Sequence, residues 1–370
     1  MQKVASRFRK QQCAREQFTC TFAMASLTCQ ARMERMATPP DETDLMRATL
    51  KSIAKDLNLS HMTVSRALSG HPNVKPATRD LILARARELG YVKSSAANAM
   101  RGDPTAIVGL LLPNIVNEFY ARFANTLALL CADSGYDLVI HLTNDEADRE
   151  YQALARLQAL QAGTVIMVPT PVAHPDTPRF HDHMRLIEFI RTRPHSNVVG
   201  RLIIEDAPTI AAAVDHLAHR GHMRIAFIGA DESLSSGKDR AAAFRAAIAA
   251  QSLTDNPDLI RTGAPGFAMG RSQMEVLLDR PTPPDAVICG GFEICSGALD
   301  ACLRRDVDLP GALAFVGYGN PSAYQWIVGG ITTIDLSADD IAERAMKLLL
   351  DKTSKDEVRS PTRLLIRNST

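Results

Sequence analysis

The stretch LKSIAKDLNLSHMTVSRALSG, Leu50 to Gly70, decides how the chain is read. Leu50, Ile53, Ala54 and Leu57 recur at i, i+3, i+4 and i+7, the single apolar stripe of a short helix. Thr49 stands before it as an N-cap. Ser60 caps a second helix a few residues on, whose buried side is Val64, Ala67 and Leu68. His61, Met62, Thr63, Ser65 and Arg66 are left on or near its outer face. Two short helices joined by so tight a turn form a helix-turn-helix, whose second helix enters the DNA major groove. An ordinary helical hairpin would carry the same stripe. Arginine is the commonest bidentate reader of guanine, and short hydroxyls suit phosphate oxygens.

The continuation, TVSRALSGHPNVKPATRDLILARARELGY, resembles the headpiece of the lactose/galactose repressor family. The resemblance rests on Thr63–Arg66, Val74, Thr78–Arg79 and Leu89–Tyr91, in that order and at the family's spacing. It implies a third helix, with Pro76 in its first turn and Gly90 just past its end. It also implies DNA contacts from Thr49, His61, Met62, Thr63, Ser65, Arg66 and Asn73. In the family a hinge helix follows, and a Leu near its end wedges into the minor groove. Here the hinge candidate is Ser95–Arg101 and the matching residue is Met100, although the family's Pro after the Tyr is absent. Wedges of this kind need an apolar side chain that can enter between base steps.

With 370 residues, the chain is long enough for two or three domains, and its net charge of +1 excludes a protein held to nucleic acid by bulk charge. Basic residues concentrate instead around the headpiece, where Lys51, Lys55, Arg66, Lys75, Arg79, Arg85, Arg87, Lys93 and Arg101 face Asp56, Asp80, Glu88 and Asp103. A small basic module on a neutral body fits DNA binding controlled by something else.

Residues 1–46 are basic and then weakly apolar. They are expected to be a disordered leader or an over-long start, with Met24, Met33, Met36 and Met46 as internal alternatives. A basic arm that touches DNA is the other reading. The apolar run is too short and polar to span a membrane, and an export signal is incoherent before a DNA-binding module. The headpiece is expected over 47–91 and the hinge or linker over 92–104.

From Thr105 onward apolar runs alternate with helical patterns. Ala106–Leu112, Tyr136–Leu142, Gly163–Pro169, Arg224–Ile228, Ala286–Cys289 and Ala314–Val316 read as strands; Phe119–Ala132, Ala147–Leu160, Ile210–His219, Arg240–Ala250 and Glu293–Leu303 read as helices. Repeated βα units imply doubly wound parallel sheets that bind ligands at the carboxyl ends of their strands. The expected fold is an all-α headpiece on an α/β two-lobed effector and dimerisation domain, 105–370. Its first lobe takes about 105–204 and 336–355, and its second about 205–335 and 356–370. Arg220–Ala230, Phe315–Asn320, Ile331–Ser337 and the closing RNST also resemble landmarks of the family's periplasmic-binding-protein-like domain.

That resemblance implies an effector cleft at Asn117, Phe119, Tyr120, Arg191, Arg240, Gly291, Asn320 and Trp326, with Tyr324 a second ring beside Trp326. Three departures from the family stand out. Arg191 occupies a position where an Asp is usual, Gly319 and Asn320 follow the Val-Gly-Tyr run where an Asp is usual, and Gly291 and Phe292 replace Asn-Asp. A pocket poorer in carboxylates and richer in guanidinium is expected to take a sugar acid, anchored by Arg240 and Arg191.

No phosphate loop, nucleophile elbow, zinc-protease motif or dinucleotide fingerprint is present, so no enzyme, cofactor or metal is expected. His181 and His183 sit in a Pro-flanked loop without further ligands at suitable spacing. Cys131, Cys289, Cys295 and Cys302 fall in apolar stretches, as reduced core thiols do in a cytoplasmic protein. The expected function is a ligand-responsive repressor of carbohydrate or sugar-acid genes. It would bind a pseudo-palindromic operator in double-stranded DNA as a homodimer or higher assembly. A solute-binding protein or a sugar-active enzyme of the same two-lobed fold is the alternative.

Overall fold

A computed structural model of the chain describes residues 48–91, 106–194, 196, 198–253, 256–351 and 357–370. Residues divide into two units, Met1–Ser94 and Ser95–Thr370.

The first unit is three helices, α1 (Leu50–Asp56), α2 (His61–Leu68) and α3 (Pro76–Glu88). Thr49 accepts the backbone N–H of Ser52, whose hydroxyl in turn accepts that of Thr49, a reciprocal cap. Ser60 caps α2 by accepting the N–H of Thr63. Pro76 opens α3, and Gly90, at φ +62°, takes the left-handed position that ends it. Each helix sends one fully buried aliphatic to the centre: Ile53, Val64 and Ile82. Burial of that kind stabilises by about 1.5–3 kcal/mol per side chain, which is most of what so small a core has. Arg85 clamps α3 to α1 through Asp56 at 2.6 Å.

The second unit has two lobes, each a six-stranded sheet with helices. In chain order the first lobe begins with β1 (Ile107–Leu112), α4 (Glu118–Asp133), β2 (Asp137–Leu142), α5 (Ala147–Ala159), β3 (Thr164–Met167), β4 (Arg185–Phe189) and β5 (Gly200–Glu205). The second follows with α6 (Ala207–His219), β6 (Ile225–Ala230), α7 (Ser235–Ala250), β7 (Ile260–Gly263), α8 (Phe267–Leu278), β8 (Ala286–Gly290), α9 (Phe292–Arg304), β9 (Ala314–Tyr318) and β10 (Thr332–Asp335). The chain ends with α10 (Ala338–Leu350), β11 (Glu357–Pro361) and β12 (Arg363–Leu365). The sheet orders are β11-β5-β4-β3-β1-β2 and β12-β10-β9-β8-β6-β7. All pairings are parallel except β10 with β12.

The central strands are apolar throughout because helices cover both faces of a parallel sheet; β6 and β8 are buried at every position. β5, β7, α8, α10 and β11 lie where the sequence reading placed no element. The chain passes between the lobes at Asp206, Leu336 and Thr362. The Thr362 hydroxyl bonds Glu205 O and Thr209 Oγ1 at 3.2 and 2.8 Å, so two of the passages are stitched together.

This stitching corrects one expectation. The sequence places residues 356–370 in the second lobe, but Glu357–Pro361 pairs with β5 from Arg201 to Glu205 and completes the first sheet. Only after Thr362 does the chain enter the second lobe, where Arg363–Leu365 runs antiparallel to β10. A strand of alternating exposure can serve either sheet edge, and its hydrogen-bonding partner is not written in its own residues.

Candidate DNA interface and effector site

On α2, Val64 and Ala67 face the core while His61, Met62 and Arg66 are exposed, and Thr63 and Ser65 are half-buried. Met62 is 58% exposed. The Thr63 hydroxyl lies 2.8 Å from that of Ser60, so part of its capacity is spent on the cap. Thr49 is exposed but engaged in its own cap. Asn73 is exposed beside His71, whose carbonyl accepts a 2.6 Å bond from Arg79. Met100 and the hinge candidate lie outside the described residues.

In the second unit a cavity of about 320 Å³ opens between the lobes at the carboxyl ends of both sheets. Asn114 and Asn117 reach it after β1, Asp145 after β2, Arg191 after β4, Gly290 and Gly291 at the end of β8, and Tyr318 and Gly319 at the end of β9. Phe119 and Tyr120 come from the first turn of α4, which Asn117 caps by accepting the N–H of Phe119. Arg240 enters from α7, and Phe292 and Glu293 from the start of α9.

Arg240 is the most constrained charge in this wall. Its Nε donates to Asp206 at 2.5 Å, its Nη1 donates to Gly290 O at 3.0 Å, and its guanidinium lies 4.4 Å from the Tyr318 ring centroid. The Tyr318 hydroxyl donates to the same carboxylate at 2.9 Å. Burial works against the charge on Arg240, but Asp206 and Tyr318 more than offset it and hold the guanidinium charged. Arg191 donates to Asp145 at 2.7 Å. The loop carrying it also binds outward. Thr192 N–H donates across the cleft to Ser235 Oγ at 2.8 Å, and Arg193 pairs with the buried Glu150 at 2.5 Å.

Of the residues expected to bind effector, Asn117, Phe119, Tyr120, Arg191, Arg240 and Gly291 are therefore brought together. Asn320 is not, because its side chain turns away to accept from Arg367 at 2.8 Å. Trp326 is 71% exposed and lies outside the cavity lining. Tyr324 is buried in the second lobe, donating to Cys295 Sγ at 2.8 Å. The rings that face the cavity come from α4, α9 and β9 instead.

The expectation of a carboxylate-poor pocket is likewise corrected. Asp145 and Glu293, which the sequence reading passed over, both line it. Each lies three residues past the end of a strand, Leu142 or Gly290, the one positional signal that could have found them. At Gly319 the reason for the missing carboxylate is steric: φ is +80°, and a Cβ there would lie 2.5 Å from the Phe292 ring. Phe292 occupies the space that a side chain at Gly319 would need.

Cys131, Cys289, Cys295 and Cys302 are free and buried. Among the described residues no group of three or more His, Cys, Asp or Glu could hold a metal ion, and no helix is long and apolar enough to cross a membrane.

A helix-turn-helix unit followed in one chain by a two-lobed unit with an interlobe cavity defines a ligand-responsive, DNA-binding transcription regulator. The chain belongs to the lacI family of bacterial regulatory proteins, whose family description matches residues 49–94, while that of a periplasmic binding protein-like domain matches residues 214–370. It is 25% identical over 332 residues to catabolite control protein A of Priestia megaterium, covering 88% of this chain and 100% of the relative. It is 26% identical to the transcriptional repressor CytR of Escherichia coli K12, covering 86% of this chain and 93% of that one. Among solved structures, the lac repressor dimer bound to operator and the anti-inducer ONPF shares the fold. The TM-score is 0.75 at 18% identity, over 88% of this chain and 99% of the other.

Proposed function

We propose that this regulator is a cytoplasmic repressor that acts as a homodimer on a pseudo-palindromic operator and answers to a sugar-like effector bound between its lobes. The observation that carries the reading is the cavity itself. Polar and aromatic groups carried by both lobes converge on it, and Leu336, on one of the passages that join the lobes, is part of its lining. A ligand there touches both lobes at once and so binds one lobe arrangement better than another, which is what linkage to a second site requires. The solved lac repressor complex with operator and the regulator CelR in complex with cellobiose, at TM-scores of 0.75 and 0.63, support operator and sugar as ligand classes.

In the headpiece, Arg66 reads a base edge, His61 and Met62 select the half-site, and Thr49, Thr63, Ser65 and Asn73 hold phosphates. Met100 serves as the minor-groove wedge, a role argued from sequence alone. Two-fold symmetry of a dimer demands two half-sites. The cavity binds its ligand without turnover. Enrichment of bound fragments from random DNA tests the reading: an inverted repeat is expected, protected by two chains per site in sedimentation. Enrichment of no sequence, or a single chain per site, would contradict it, and so would conversion of a bound sugar to product.

A further inference from the structure

The charges around the cavity are paired unevenly. Each guanidinium has an acid: Arg191 has Asp145 at 2.7 Å and Arg240 has Asp206 at 2.5 Å. Glu293 has none among the described residues. Its side-chain partner is the neutral amide of Asn114, across the cleft at 3.4 Å. Three acids (Asp145, Asp206, Glu293) against two cations (Arg191, Arg240) leave one negative charge in excess when all are ionised.

A half-buried carboxylate without a counter-ion is a group waiting for a donor. Burial, and behind it the charge of Asp145, push the Glu293 carboxyl above the ordinary glutamate range, while the Asn114 amide works the other way. The other charged or titratable groups around the cavity are Arg191, Arg240 and the hydroxyls of Tyr120 and Tyr318. A ligand carboxylate would meet guanidinium groups already holding acids and would add a negative charge beside two others. A primary ammonium brings three donors and the missing positive charge, and ionised pairs form the stronger hydrogen bonds. Hydroxyls elsewhere on the ligand would find Asn117, Asp145 and Arg191, and its apolar face would find Phe292.

We propose that the effector is an amino sugar, a polyhydroxylated ring bearing a primary ammonium, with Glu293 as the anchor of that ammonium. This rests on the reading of the interlobe cavity as the effector site and narrows its ligand class. Glu293 also bridges to the first lobe through Asn114, so the same group that holds the ammonium joins the two lobes.

The test is calorimetry on the full chain with two matched trios: glucose, glucosamine and glucuronic acid; galactose, galactosamine and galacturonic acid. Mildly acidic buffers of different ionisation enthalpy keep the amine charged and reveal proton exchange. In one trio the amine is expected to bind about tenfold tighter than the neutral parent, with the acid weakest. Its binding should release protons as Glu293 ionises. Glu293→Gln should bring the amine level with the neutral sugar and abolish the proton release, while an unchanged far-UV circular dichroism spectrum and a cooperative melt show that the variant folds. A preference for the acid or the neutral sugar, or an amine preference that survives Glu293→Gln, would overturn the inference alone. No binding of any of the six would overturn the sugar-site reading beneath it.

Discussion

Arg240 Nε lies 2.5 Å from Asp206 Oδ2, joining a helix of the second lobe to the first residue of the chain's first passage between lobes. Tyr318, at the end of β9, closes the arrangement from the other side of the carboxylate. Both partners of the ion pair are more than nine-tenths buried. Removing one member of a buried pair strands the other, at a cost of about 3–5 kcal/mol, whereas replacing both by apolar groups costs far less. Asp206→Ala should therefore lower the denaturant midpoint of the effector unit more than Asp206→Ala/Arg240→Met does. Equal losses in the two variants would show that Arg240 left without Asp206 carries no stranded-charge penalty.

Glu293 offers a pH signature. A carboxyl whose pKa is raised in the folded state favours folding most at pH values below the unfolded glutamate pKa. That contribution is lost as pH rises through the raised folded value. Glu293→Gln removes the titration. Its ligand-free melting temperature at neutral pH should match or exceed the parent's, and the margin should shrink as the buffer is acidified through the glutamate range. A variant less stable than the parent at neutral pH, with the gap widening as pH rises, would contradict the assigned environment.

Arg66 is exposed on the outer face of α2. Arg66→Ala should weaken operator binding by about 1–3 kcal/mol and relax preference at one base pair of each half-site. If it only touches phosphate, affinity should fall evenly across sequences and the salt slope should flatten by about one. Binding of selected and random DNA with parent affinities would remove Arg66 from the interface.

Ile53 is fully buried at the centre of the headpiece. Truncation to Ala leaves a cavity costing about 2–5 kcal/mol, comparable to the whole stability of so small a core. Ile53→Ala should abolish operator binding and amide protection in α1–α3 while leaving calorimetric sugar binding unchanged. Loss of sugar binding as well would mean that the two units do not fold independently.

The headpiece was legible in the sequence because its determinants are local. A stripe over Leu50–Leu57, a cap at Ser60 and a left-handed Gly90 each act within a few residues of themselves. The lobes were legible where strands are long and wholly apolar, as in IVGLLL. IRTG and FAMGRSQMEVLL were missed because a four-residue edge strand and a weakly striped helix give little period. The cavity was half legible. Arg240 does line the cavity, but its partner lies 34 residues away on another element, and Glu293 and its partner Asn114 are 179 apart. Which acid meets which base is fixed by the order of strands in two sheets, and Asn320 and Trp326 show how a side chain beside the right strand still turns elsewhere.

The most direct measurement of ligand control is reciprocal linkage on the full chain. Operator affinity by fluorescence anisotropy should be compared with and without a saturating sugar from the trios above, and sugar affinity with and without operator. Coupling of this kind runs at about 5–150-fold, and the factor must be the same in both directions. A shift within that range, equal both ways and abolished by filling the cavity with Gly291→Trp, is the expected result. Superimposable operator isotherms with and without a sugar that demonstrably binds would contradict the proposal that the cavity governs the headpiece.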